Sequence, residues 1–188
     1  MSTTLAPAEL HARPADRTLV VDVRAPGEYA SGHVPGAVNV PADLLDALLP
    51  DLRAAAERQD LVMVCAAGRR SAAACAKLAE AGVESTGLAG GTQAWAADGL
   101  PVDTGARPDR EVWAMDRQVR FTAGSLVLLG LALGRRAPKG RLLAAGIASG
   151  LVYSGLSNTC GMAAMLGRLP FNRPAAGALD EARAALRG

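Results

Sequence analysis

Cys65 is followed by Ala66, Ala67, Gly68, Arg69, Arg70 and Ser71, and an apolar run, residues 61–64, stands just before it. A helix-like stretch, residues 72–81, comes next. The cysteine is therefore expected at the carboxyl end of a buried strand, on a tight loop that opens a helix. Open α/β sheets gather their reactive groups along that edge. Loop amides and a helix N-terminus favour negative charge, and Arg69 and Arg70 add positive potential. Thiols in such surroundings ionise readily. Cys65 reads as a nucleophile.

The remaining chemistry-bearing residues narrow the choice. Cys75 and Cys160 complete a set of three widely spaced cysteines, which suits neither a disulfide framework nor a zinc site. His11 and His33 add no metal cluster, so neither metal nor cofactor is expected. Cys75, inside the following helix, reads as core packing, and Cys160, within an apolar stretch, as an inert small hydrophobe. Residues 1–17 include Glu9 and Asp16 and no apolar core of signal-peptide length. The first domain is thus expected in the reducing cytosol, where a thiolate survives.

The elements that must position Cys65 follow from periodicity. Residues 18–23 read as a β-branched, buried strand, residues 37–40 as a shorter one, and residues 61–64 as the next. Leu44, Leu45, Leu48, Leu49, Leu52 and Ala56 recur at helical spacing, predicting a helix over 43–58 with Asp43 as its N-cap. A second helix is predicted over 71–80, capped by Ser71 and stopped near Gly82. A last strand over 86–88 leads through Gly90 and Gly91 into a helix over 92–97. Strands alternating with helices predict an α/β fold, a parallel sheet with helices on its faces.

Residues 101–108 form a Pro/Gly-containing linker, and the character of the chain then changes. Residues 1–105 carry a net charge of −5 and residues 106–188 one of +7, an asymmetry that points to a membrane surface, nucleic acid or another anionic partner for the second half. Residues 121–134 and 142–167 contain no charged side chain. A helix needs about 20 apolar residues to cross a bilayer core. The second run meets that length, and the first is short. Two membrane spans forming an all-α transmembrane hairpin are expected, with lipid rather than nucleic acid as the partner. Gly130/Gly134 and Gly146/Gly150 are small-residue pairs that allow close helix approach. The basic connector, residues 135–141, would face away from the cytosol, against the positive-inside tendency, while Arg117, Arg120, Arg168 and Arg173 pull the other way.

Several segments together resemble one family. Asp22-Val23-Arg24, Glu28-Tyr29, Gly32-His33-Val34-Pro35-Gly36-Ala37 and Asn39-Val40-Pro41 are similar to the first half of a rhodanese domain. Residues 65–71 resemble its active-site loop in the form C-x-x-G-x-R-S. Gly90-Gly91-Thr92-Gln93-Ala94-Trp95 and Gly99-Leu100-Pro101-Val102 are similar to its closing segment. Residues 113–120, 159–163 and 170–173 resemble the two-helix tail of membrane-anchored bacterial rhodaneses. The organisation read in this way is a rhodanese domain over 1–105, a juxtamembrane segment over 106–120, a membrane hairpin over 121–169 and a C-terminal tail over 170–188.

The resemblance implies sulfur transfer by double displacement. Cys65 would take the outer sulfur of thiosulfate or a related donor anion as a persulfide, then give it to a thiol or cyanide. Backbone N–H groups of Ala66, Ala67, Gly68, Arg69, Arg70 and Ser71 would form the rim around that sulfur. Gly68 allows the curvature, and Arg70, with Arg69 as a weaker second, would bind the donor. Cysteine phosphatases place their arginine six positions after the cysteine; here it is five, a cradle sized for one sulfur rather than a phosphate. Asp22 and Arg24 would support the site from behind, and His33 would serve the turn. The family likeness also implies a bacterial inner-membrane location, the catalytic domain facing the cytoplasm, and a homodimer through the membrane helices. A different class, a non-catalytic membrane redox or nitrosative sensor using the same reactive cysteine, fits these residues as well.

Overall fold

The computed structural model describes residues 4–104, 113, 115–137, 139–157, 161–169 and 177–187. The chain begins with β1 (Thr4–Leu5), α1 (Pro7–His11), β2 (Thr18–Asp22), α2 (Pro26–Ala30) and β3 (Val38–Asn39). A 3-10 turn (Ala42–Leu44) leads into α3 (Leu45–Ala56), followed by β4 (Asp60–Val64), α4 (Arg69–Glu80), β5 (Thr86–Leu88) and α5 (Gly91–Ala97). All five strands lie in one sheet, in the order β1-β5-β4-β2-β3, and every pairing is parallel. The sheet grows from β2 toward β3 on one side and from β4 toward β5 on the other. Its winding therefore reverses between β2 and β4. Such a reversal opens a crevice at the carboxyl ends of the two strands.

Alternation along the strands divides the interior into two cores. Leu61 and Met63 of β4 join Val21, Leu48, Leu52 and Leu78 on one face, while Val62 and Val64 join Val20, Leu88 and Trp95 on the other. Leu48 and Leu52 are wholly inaccessible; burial of a leucine side chain contributes about 1.5–3 kcal/mol. The helix expected from residue 43 starts later. Asp43 falls in the 3-10 turn, and no side chain caps α3. β1, α1 and α2 are too short for periodicity to announce them, and α1 and α2 each start on a proline, whose fixed φ suits a first helical turn.

Residues 113–173 form a second unit. Its helices are α6 (Met115–Leu133), α7 (Lys139–Ser157) and α8 (Gly161–Gly167). α6 packs against both α7 and α8. A Cβ on Gly130 would lie 2.8 Å from the Ala144 nitrogen, and one on Gly140 would lie 2.5 Å from the Gly134 nitrogen. Glycine is what lets α6 and α7 meet so closely. Gly146 and Gly150 have nothing within 4 Å of such a Cβ, so only the first of the two small-residue pairs serves the hairpin.

The helices of this unit do not by themselves bear out the expectation of two spans. Among the described residues, no helix is long and apolar enough to cross a membrane. α6 and α7 are each 19 residues long, roughly 28 Å, but their opening turns carry Arg117, Gln118 and Arg120 in one and Lys139 and Arg141 in the other. Gly146, Ser149, Gly150, Ser154 and Gly155 dilute the rest of α7. Cys160 lies outside the described residues.

The end of the chain returns to the first unit, which comprises residues 1–112 and 174–188. There α9 (Ala178–Arg187) lies against α3 and β3. Ala182 and Leu186, one turn apart, enter the core that holds Leu48 and Leu52. Asp51 of α3 accepts from Arg183 Nε at 3.2 Å and from Arg187 Nε at 3.0 Å, and Arg58 Nη2 donates to the Leu186 carbonyl at 2.8 Å. Within the segment expected as a C-terminal tail, residues 178–187 are a helix packed into the first unit.

Candidate active site

β4 ends at Val64, and Cys65, the next residue, is 1% exposed. Across the crevice, Asp22 at the end of β2 is in register with Val64, and the Val23 N–H donates to the Val64 carbonyl at 2.9 Å. The chain then curls through Ala66 and Ala67 to Gly68, which has φ +88° and is the N-cap of α4. A left-handed residue of this kind is cheap only as glycine. The curl delivers the Gly68 N–H to Cys65 Sγ at 3.2 Å.

Ser71, expected as the cap, is instead the third residue of α4 and is fully buried. Its Oγ donates to the Gly68 carbonyl at 2.9 Å and lies 3.5 Å from Cys65 Sγ. A hydroxyl has a single proton to give. While the sulfur is a thiol, its S–H can point to Ser71 Oγ; once it is a thiolate, the hydroxyl can turn and donate to it.

The closing segment fixes the loop from the other side. The Cys65 and Ala66 carbonyls accept the N–H groups of Thr92 and Gln93, at 2.8 and 3.0 Å. With those carbonyls held by the first turn of α5, the Gly68 amide is left facing the sulfur. Gly91 makes this docking possible, because a Cβ on it would sit 2.1 Å from the Cys65 carbonyl oxygen.

Arg70 is partly exposed and does not stand alone. Its Nη1 and Nη2 donate to Oε2 and Oε1 of Glu28 at 2.7 and 2.8 Å. The Glu28 side chain is 1% exposed, and that of Arg70 36%. Burial acts to lower the Arg70 pKa, but the hydrogen bonds and charge of Glu28, with smaller help from Cys65 and Asp22, raise it overall. Ala67 and Arg69 are exposed, and Ala66 is half-buried.

This geometry belongs with clear sequence relationships. Residues 6–98 match the family model of the rhodanese-like domain, and residues 112–174 match that of the inner membrane protein YgaP-like transmembrane domain. A sulfurtransferase of Allochromatium vinosum is 38% identical over 85 residues, covering 45% of this chain and 77% of its own. An uncharacterised protein of Synechocystis, slr1261, is 39% identical over 175 residues, 92% of this chain and 94% of that one. The chain belongs to the rhodanese-like family. A crystal structure of a rhodanese-related protein from Thermoplasma volcanium is 30% identical, with a TM-score of 0.49, over 54% of this chain and 97% of that one.

Behind the rhodanese loop, Asp22 is wholly buried and accepts from the Arg24 backbone N–H at 2.9 Å, from Nε at 2.9 Å and from Nη2 at 2.7 Å. Arg24 Nη2 also donates to the Gly32 carbonyl at 2.7 Å. Asn39 Nδ2 donates to the Asp22 and Arg24 carbonyls at 3.0 and 2.9 Å. This bracing ties the end of β2 to the segment that carries Glu28. His33 is buried, stacks on Tyr29 with ring centroids 3.7 Å apart, and its Nδ1 lies 2.9 Å from the Tyr29 carbonyl, a turn-holding role. Cys75 is part of the core, and burial pushes its thiol pKa up.

Two rhodanese residues that matter here, Glu28 and Gly91, stand out in the sequence only as members of family strings. Glu28 gives a local signal, a carboxylate two residues after the Pro26 that opens α2, and its Oε2 accepts the Ala25 N–H at 3.4 Å. Nothing local announces its partner 42 residues on. Gly91 differs from other loop glycines only through a packing contact that the sequence does not display.

Proposed function

We propose that this protein is a sulfurtransferase that carries sulfur on Cys65 as a persulfide, and that residues 112–174 attach it to the bacterial inner membrane with the rhodanese domain on the cytoplasmic side. The observation that carries the chemistry is the Gly68 N–H aimed at Cys65 Sγ at 3.2 Å, at the strand-end crevice. An N–H donor held there lowers the energy of an anionic sulfur without having to reorganise. The name and identity of the Allochromatium vinosum sulfurtransferase support the same reading.

In the first half-reaction the Cys65 thiolate attacks the outer, sulfane sulfur of the donor. The Sγ–S bond forms as the donor's S–S bond breaks, and that bonding pair leaves on the donor remnant, as sulfite when thiosulfate is used. In the second, an acceptor thiolate or cyanide attacks the terminal sulfur, and the Cys65 thiolate is the leaving group. No outside oxidant or reductant enters either step. Cys65 is the covalent carrier.

Membrane attachment draws on the match of residues 112–174 and on the apolar exterior of that unit, where Leu128, Leu142 and Leu156 are 70%, 72% and 85% exposed. Exposed apolar surface of this kind marks a membrane or protein contact.

The test is mass analysis of the Cys65 peptide from the full-length protein after thiosulfate treatment. One added sulfur, discharged by cyanide as thiocyanate and absent in Cys65→Ser, is expected. Transfer that persists undiminished in Cys65→Ser would falsify the assignment.

A further inference from the structure

We infer that Glu28 sets the donor class of the Cys65 site: by cancelling the charge of Arg70, it favours an organic persulfide over thiosulfate. This rests on the sulfurtransferase reading and narrows it to one kind of donor.

The charges around the sulfur are nearly all matched. Asp22 is closed on Arg24, with both side chains no more than 7% exposed. Arg70, the arginine of the loop, gives both terminal nitrogens to the Glu28 carboxylate. A carboxylate as buried as Glu28 stays ionised only through such a partner, so each group fixes the other's charge. Loop residues Ala66 and Ala67 contribute none, and Arg69 is exposed, where water and salt screen it. The cradle thus offers a thiolate, one N–H donor, the Ser71 hydroxyl and a neutral ion pair. It does not offer a cationic pocket.

Thiosulfate is a dianion and must bring both charges up to the Cys65 thiolate. A persulfide, R–S–SH, carries at most one. Electrostatic repulsion between donor and thiolate scales with that charge. In the persulfide reaction, Cys65 Sγ bonds to the outer sulfur as the R–S bond to it breaks. The electron pair leaves on the inner sulfur as a thiolate, R–S⁻. The proton on the transferred sulfur passes to solvent, leaving Cys65–S–S⁻. Atoms and electrons balance with no other reactant.

The test compares cysteine persulfide, whose carboxylate and ammonium cancel, with thiosulfate as donor to the full-length protein, with cyanide as acceptor. The readouts are added sulfur on Cys65 and kcat/KM for thiocyanate formation. The wild-type protein is expected to prefer the persulfide by about tenfold or more, the scale of one uncompensated charge held nearby. Glu28→Gln keeps the shape but frees the Arg70 charge. It should move the donor ratio toward thiosulfate by about tenfold, an effect that shrinks as salt is added. Should Glu28→Gln fold poorly, Glu28→Asp keeps the carboxylate but draws it back from the Arg70 guanidinium, and a smaller change in the same direction is expected. Equal use of both donors by the wild-type protein, or a donor ratio unmoved in a folded variant of either kind, overturns the proposal. Loading of Cys65 by thiosulfate but not by the persulfide also overturns it, while leaving the sulfurtransferase reading intact. Absence of added sulfur with both donors overturns that reading too.

Discussion

Gly91 is pressed against the backbone of Cys65 so closely that a methyl group on it would lie 2.1 Å from the Cys65 carbonyl oxygen. The nucleophile's orientation therefore depends on a residue with no side chain, 26 positions away in the sequence. β5 and α5 form the clamp that turns the loop carbonyls outward and leaves an amide for the sulfur.

Gly91→Ala should break that clamp. Its φ of +60° already disfavours any L side chain, and the contact with Cys65 forces a shift as well. Misplacing a reacting group by an ångström can cost on the order of a hundredfold in rate. Sulfur loading of Cys65 should fall on that scale while the far-ultraviolet circular dichroism of the protein stays near wild type. Full-rate loading in the variant would refute the clamp.

Asp22→Ala removes the acceptor of three Arg24 donor groups and strands a guanidinium that is 7% exposed. Breaking a buried ion pair from one side costs about 3–5 kcal/mol. The urea midpoint of the rhodanese unit should drop accordingly. A loss below about 1 kcal/mol would mean that the pair is not the brace described.

Leu186→Ala should destabilise the same unit, although the residue lies close to the end of the sequence. Leu186 is 2% exposed within the core that holds Leu48 and Leu52, and truncating a buried leucine costs about 2–5 kcal/mol. Urea unfolding of the full-length protein reads the effect. No shift in midpoint would show α9 to be detached in solution.

Acid should loosen α9 through Asp51. Burial acts to raise the pKa of Asp51, yet its hydrogen bonds to Arg187 and Arg183 hold it below the usual carboxylate value of 3.8. A group with a depressed folded pKa contributes stability that is present above the unfolded value and lost as pH falls through the folded one. The urea midpoint should therefore fall between about pH 5 and pH 2, and Asp51→Asn should flatten that part of the profile. An unchanged slope in Asp51→Asn would assign the acid sensitivity elsewhere.

Much of this was legible in the sequence because it is local. Apolar runs at residues 18–23 and 61–64 gave β2 and β4, and the helical spacing of Leu45, Leu48 and Leu52 gave α3. The loop from Cys65 to Ser71 also lies where strand and helix patterns meet. What stayed hidden is relational. Ser71 looks like a cap by residue type, but Gly68 takes the cap with a left-handed φ and leaves Ser71 facing the sulfur. Glu28 and Arg70 are ordinary surface residue types until the topology brings α2 beside α4. α9 has a clear apolar stripe in Leu179, Ala182 and Leu186, but a stripe does not name the surface that will cover it.

The docking of α9 also imposes a parity on the chain. Residues 113–173 leave from a folded body and deliver the chain back to that same body, since Leu186 and Leu48 share one core. Any path those residues take through a bilayer must cross it an even number of times, or not at all. A single crossing would pull α9 off α3 and expose the apolar side chains it covers.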